Sequence, residues 1–175
     1  MMCIKKIIYV LLAVTLLSGN SCDPQSQQSQ QSAQRHLDQA FSYIGSMQGT
    51  SDIDQRSKLG KNAEIELTKA LEYQPDNFIA LMNRGVLYVS MGKLNKAESD
   101  YGKALAIKPL DSDLNFNLAC LYALTDRQDL ALDALQKSLE QGFDDISRLR
   151  EDPDLQALRS LEEFTEILES NKFFL

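Results

Sequence analysis

Residues 78–111 read FIALMNRGVLYVSMGKLNKAESDYGKALAIKPLD, and the order of small and bulky residues in this stretch decides the fold. Gly85, Ala97 and Ala104 are small, whereas Leu81, Tyr88 and Tyr101 are large. On two antiparallel helices joined near Gly92, the small positions allow close approach and the large ones fill the space between. Pro109 stops the second helix. The pattern recurs on both sides at a constant interval of thirty-four positions. Ala63, Leu67, Ala70 and Pro75 return as Ala97, Tyr101, Ala104 and Pro109. Gly85, Tyr88, Ala97 and Tyr101 return as Ala119, Tyr122, Ala131 and Leu135. A period of this length marks helix pairs that bury their faces on one another.

The expected fold is therefore all-α, with helix pairs at about 35–77, 78–111 and 112–145 and a helical cap at 146–175. The first pair is irregular. Leu37, Ala40, Phe41 and Ile44 have the i, i+3, i+4, i+7 spacing of an apolar helix face. The interval from Ile44 to Ala63 exceeds that from Tyr88 to Ala97 by ten positions. An insertion of that size is expected, as a longer loop or a longer second helix. Asp76 or Asn77, and Ser112 or Asp113, are the expected helix N-caps. Gly92 and Gly142 suit helix C-terminal turns. Beyond Gly142 the small-and-large period stops, and Phe143, Ile146, Leu149, Leu155, Leu158, Leu161, Phe164, Ile167 and Leu168 predict short helices broken around Asp152-Pro153. Their expected role is to cover the apolar face that the last pair would expose.

These residues resemble the tetratricopeptide repeat. Over 78–111, Leu81, Gly85, Tyr88, Ala97, Tyr101, Ala104 and Pro109 stand at signature positions, and Arg84 replaces a usual Leu. The unit 112–145 keeps Leu118, Ala119, Tyr122, Ala131 and Leu135, with Ser138 for Ala and Phe143 for Pro. The segment from Glu151 to Arg159 with Phe164 resembles the end of many bacterial tetratricopeptide proteins. The resemblance implies an α-solenoid of about three helix hairpins plus a C-terminal helical cap. It also implies a non-catalytic module that binds a polypeptide on the concave face lined by the first helices. The contact positions it implies are Ile79, Met82, Val86 and Val89, then Phe116, Cys120, Ala123 and Leu124. Chaperone-binding members clamp a terminal carboxylate with Lys and Asn here. That Lys is absent, so an apolar peptide or amphipathic helix is the expected ligand. The same side chains would equally serve to pack helix on helix within a short array.

The N-terminus reads as an export signal. Lys5 and Lys6 precede an apolar run from Ile7 to Leu17, and the small or polar Ser18 to Ser21 follow. As helix that run spans roughly 17 Å, short of a bilayer core of about 30 Å. The stretch Leu-Leu-Ser-Gly-Asn-Ser-Cys22 resembles the lipobox of bacterial lipoproteins, with Gly19 where Leu is usual. It implies cleavage after residue 21, a palmitate-type lipid on Cys22 and attachment to a bacterial membrane of the cell envelope. Ordinary cleavage near Ser21, releasing a soluble periplasmic or secreted protein, is the alternative. Residues 22–34, rich in Gln and Ser and without a large apolar side chain, are expected to form an unstructured tether.

The remaining composition excludes more than it assigns. Two of the 18 Lys and Arg lie in the leader, which leaves 16 against 25 acids, a net of −9. An acidic surface does not suit nucleic acid. The chain has one histidine, His36, and lacks a CxxC pair, a phosphate-binding Gly-rich loop and a nucleophile elbow. Asp144-Asp145 and Glu162-Glu163 read as solvated or helix-start charges. No catalytic residue, metal site or cofactor is expected. The expected partner is a protein or peptide. The second expectation is a self-associating envelope protein, a weak homo-oligomer whose Phe173, Phe174 and Leu175 dock on another copy.

Overall fold

The computed structural model describes residues 23–171. The expected leader at 1–21, Cys22 as the expected site of lipid, and Phe173, Phe174 and Leu175 lie outside the described residues. The described residues are all-α, with eight α-helices, one 3-10 turn and no strand among them. They fall into two compact units, 23–75 and 76–171.

The first unit is a hairpin of two long helices. α1 spans Pro24–Gly49 and α2 spans Ile53–Tyr73. The ten extra positions lengthen both helices, and only residues 50–52 form the turn. Asp52 caps α2 by accepting from the N–H groups of Asp54 and Gln55 at 2.9 and 3.1 Å. Ala33, Leu37, Ala40, Ile44 and Met47 of α1 are buried, as are Ala63, Leu67, Ala70 and Leu71 of α2. The unstructured tether expected over 22–34 is not what the structure has, because helix begins at Pro24. The local chemistry accounts for it. Asp23 accepts from the Gln25 N–H at 3.1 Å, and Pro24 occupies a first-turn position where its missing N–H costs nothing. The Gln-rich stretch that follows extends a helix already fixed by the packing of Ala33 and Leu37.

The second unit begins with two shorter hairpins. α3 (Phe78–Ser90) pairs with α4 (Leu94–Ile107), and α5 (Ser112–Leu124) pairs with α6 (Gln128–Glu140). Asn77 caps α3 by accepting from the Ala80 N–H at 3.0 Å. Asp111 caps α5 by accepting from the Leu114 N–H at 3.0 Å, so the cap lies one residue before the expected Ser112 or Asp113. The α3–α4 turn closes through Gly92, φ +69°, with the Lys93 N–H donating to the Tyr88 carbonyl at 2.8 Å. One period later Asp126 takes the same left-handed conformation, φ 57°, and the Arg127 N–H donates to the Tyr122 carbonyl at 2.9 Å. Gly85 lies against the Tyr101 ring, which is the close approach that its lack of a side chain allows. Ser138, in the place of a usual Ala, donates its hydroxyl to the Ser112 carbonyl at 2.8 Å and so joins α6 to α5.

The tail comprises α7 (Ile146–Glu151), a 3-10 turn at Pro153–Leu155 and α8 (Glu162–Ser170). α7 starts one full period after α5, and α8 one full period after α6. The spacing of helix starts thus persists after the small-and-large pattern has gone. The first helix of this fourth pair is cut short at Asp152-Pro153 because proline cannot continue the ladder and restricts the residue before it. Leu149, Leu155, Leu158, Phe164 and Leu168 are all buried, with the 3-10 turn on α5 and α8 on α6.

Candidate functional site

The face named from the family resemblance divides into two parts. On α3, Ile79 is 45% exposed, while Met82, Val86 and Val89 are half-buried. Their spacing of three, four and three sets them along one side of the helix. On α5 the outcome differs. Phe116, Cys120 and Ala123 are buried, and only Leu124, 42% exposed, reaches solvent. Phe116, Cys120 and Ala123 therefore do not line an open surface.

The cause lies in the segment after α6. The Phe143 ring stacks on Phe116 with centroids 4.2 Å apart and planes 13° from parallel. The Arg148 guanidinium lies 4.2 Å from the Phe116 ring centre and 5.4 Å from that of Phe143. It donates to Asn117 Oδ1 at 3.1 Å and stands 3.5 Å from an Asp113 carboxylate oxygen. Residues 143–148 thus sit where a further repeat would place its first helix. Burial pushes the Asp113 carboxyl above its ordinary pKa, and the neighbouring carboxylates Asp111, Asp145 and Asp144 add to this, against the opposing effect of Arg148.

Polar pairs that the repeat pattern does not announce hold these helices in place. Arg84, which stands where Leu is usual, donates from Nε and a terminal nitrogen to both oxygens of Asp100, at 2.7 and 2.9 Å. Asp100 is 3% exposed, so this fork joins α3 to α4 inside the hairpin. The signal in the sequence is the charge itself: an Arg on an apolar face needs a partner, and Asp100 lies one turn before Ala104 on the facing helix. Arg127 makes a similar fork to Glu98 at 2.7 and 3.0 Å, tying the α5–α6 turn back to α4. That hydrogen bonding holds the Glu98 carboxyl below its ordinary pKa despite partial desolvation. Asn115 donates to Gln141 at 2.8 Å across the α5–α6 pair.

His36 belongs to the first unit. Its Nδ1 is 2.6 Å from Glu66 Oε2, and its ring stacks on Tyr73 with centroids 5.6 Å apart. Burial works against ionisation of Glu66, but hydrogen bonds from Lys69 and His36 outweigh it and lower its pKa. Among the described residues, no group of three or more His, Cys, Asp or Glu is placed to hold a metal ion. Cys120, buried in α5, is not in a disulfide. No described helix is long and apolar enough to cross a membrane.

Comparison with known proteins agrees with this architecture. The tetratricopeptide repeat family model matches residues 78–110. The chain is similar to a chloroplastic protein of Arabidopsis thaliana, with 24% identity over 139 residues, which is 71% of this chain. It spans 42% of the length of that relative. Among solved structures it is similar to a thermophilic tetratricopeptide protein of Thermus thermophilus. The TM-score is 0.60 and the identity 24%, over 78% of this chain and 72% of the other. That likeness concerns the fold, an all-α solenoid. Together with the regular recurrence of helix starts, it shows an all-α solenoid in which residues 78–110 match the tetratricopeptide repeat.

Proposed function

We propose that this protein is a non-catalytic interaction module that holds a polypeptide partner on the α3 side of its repeats. The observation that carries the reading is the row Ile79, Met82, Val86 and Val89. All four are apolar, and none is fully buried. An apolar row of this spacing suits the apolar face of an amphipathic helix or an extended apolar peptide. Leu124, at the end of α5, is the remaining accessible member of the expected contact set. Tetratricopeptide domains in general bind protein partners, which supports the reading.

We further propose that the module works in the cell envelope as a tethered scaffold or adaptor, exported by the leader at 1–21 and anchored through lipid on Cys22. The support is the sequence of that region. Helix from Pro24 onward would leave only Asp23 between the anchor and the first helix.

Two experiments test these readings. A photo-crosslinking residue at Ile79 or Val89 in the full chain, expressed in cells, should trap a discrete partner band. The same residue at Lys103, exposed on α4, should not. Equal labelling at all three positions, or none, refutes the α3 assignment. Labelling with a fatty-acid analogue should mark the protein and be lost in Cys22→Ser. Label that persists in the variant, or never appears, refutes the anchor.

A further inference from the structure

The first unit holds the chain's single histidine in an arrangement that polypeptide binding on α3 does not use. His36 lies at the edge of the buried stripe of α1, beside Leu37, and Glu66 lies beside Leu67 on α2. The two side chains meet across the hairpin, Nδ1 to Oε2 at 2.6 Å. Lys69, one turn on from Glu66, donates to the other carboxylate oxygen at 2.8 Å. Tyr73, two turns on from Glu66, stacks on the imidazole with planes 12° from parallel. The position and the plane of the imidazole are thus both fixed.

These contacts decide which ring nitrogen is which. Despite burial, hydrogen bonds from Lys69 and His36 hold the Glu66 carboxyl ionised, and an ionised carboxylate only accepts. The proton of the neutral ring is therefore on Nδ1, and the lone pair is on Nε2. Among the described residues no group hydrogen-bonds Nε2, and 21% of the side chain is exposed. A carboxylate behind one nitrogen, with the lone pair on the other, makes imidazole a nucleophile, because the carboxylate stabilises the positive charge that the ring gains on attack. No described group of three or more His, Cys, Asp or Glu is placed to share a metal with it. Lys69, 43% exposed, sets a cation beside the pair and favours an anionic reactant. An acyl group on imidazole is soon lost to water, whereas a phosphoryl group on nitrogen lasts longer and has the charge that Lys69 favours.

We infer that Nε2 of His36 is a modification site that accepts a phosphoryl group from a phosphoramidate donor, with Glu66 as its positioning residue. The Nε2 lone pair forms the new bond to phosphorus. The donor's own phosphorus–nitrogen bond breaks, and its electron pair leaves on ammonia. The ring becomes cationic and keeps its Nδ1 proton on the hydrogen bond to Glu66. The change is stoichiometric, with no turnover, and it is independent of the α3 row and of the lipid anchor.

The test uses the full chain and potassium phosphoramidate, followed by intact mass and phosphorus NMR. One phosphoryl group should be added, at Nε2 alone, and at least about tenfold faster than in the same chain unfolded in urea. Glu66→Gln should slow the reaction at least about tenfold while circular dichroism stays helical, and His36→Gln should abolish it. The comparison of folded with unfolded wild-type chain decides the matter even if Glu66→Gln does not fold. No labelling of the folded chain overturns the proposal, as does a rate equal to that of the unfolded chain. Labelling at Nδ1, labelling that survives His36→Gln, or an unchanged rate in folded Glu66→Gln overturns it too.

Discussion

Substituting Gly85 by Ala sets two effects of known sign against each other. In a helix interior, Ala is favoured over Gly by about 1 kcal/mol, so propensity alone predicts a gain. The site opposes it. A Cβ on Gly85 would lie 2.6 Å from Tyr101 Cδ1 and 3.0 Å from Cζ, and nearer still to Cε1. Comfortable carbon contacts are about 3.5–4.0 Å, so the ring would have to retreat by about 1 Å. Tyr101 is 1% exposed, which leaves it no vacant direction. Overpacking of this severity belongs at the upper end of the usual range, about 3 kcal/mol. The net expectation is a loss of about 2 kcal/mol, seen as a fall in melting temperature of about 4–8 °C by circular dichroism. Gly102→Ala provides the control. It lies within α4, is exposed, and an added Cβ meets nothing within 4 Å. It should therefore show the propensity gain alone, about 0.5–1 kcal/mol. If Gly85→Ala proved as stable as Gly102→Ala, α3 and α4 would not be pressed together at this point.

Other contacts give further expectations. Removing one member of the Arg84–Asp100 pair, as Arg84→Leu or Asp100→Leu, should cost about 3–5 kcal/mol, because it strands a buried charge. The double variant should return to within about 1 kcal/mol of the wild type, and a denaturation cycle without such coupling would refute the account. Asp126→Gly should stabilise the protein by about 0.5 kcal/mol, since relief of the left-handed strain at φ 57° exceeds the added freedom of the unfolded chain; a destabilised variant would contradict it. Glu66 has a folded pKa below its ordinary value of 4.5, so its stabilising contribution is complete above that value and is lost as pH falls through the lowered one. Urea midpoints measured on acidification from neutrality should therefore fall less steeply in Glu66→Gln, and parallel curves would sink the assignment.

Where a feature of this fold depends on residues close together in the chain, the sequence discloses it. The hairpins at 78–111 and 112–145, the Asn77 cap and the Gly92 turn are written in spacing and in turn chemistry. The start of α1 cannot be found by counting apolar side chains, because residues 24–32 have none that is large. The deciding signal there is Asp23-Pro24, a cap and a first-turn proline. The burial of Phe116, Cys120 and Ala123 is hidden for a different reason. For Phe116 it depends on Phe143 and Arg148, which lie far along the chain where the repeat pattern has already lapsed, and the 3-10 turn that packs on α5 lies farther still. A single-repeat pattern assigns faces as if the array continued. The final pair of helices alters which faces remain available.

The interrupted fourth pair bears on how a chain of this kind can change length. Its helices keep the spacing of the units before them, yet the proline after Asp152 prevents its first member from becoming a full-length platform for another unit. Growth on that side is blocked by one residue, whereas the repeats before it carry no such stop. Whole helix pairs could be duplicated or deleted ahead of α5 without touching the seal. The seal holds the adjoining hairpin through Phe116, covered by Phe143 and Arg148, and through the packing of the 3-10 turn on α5 and of α8 on α6.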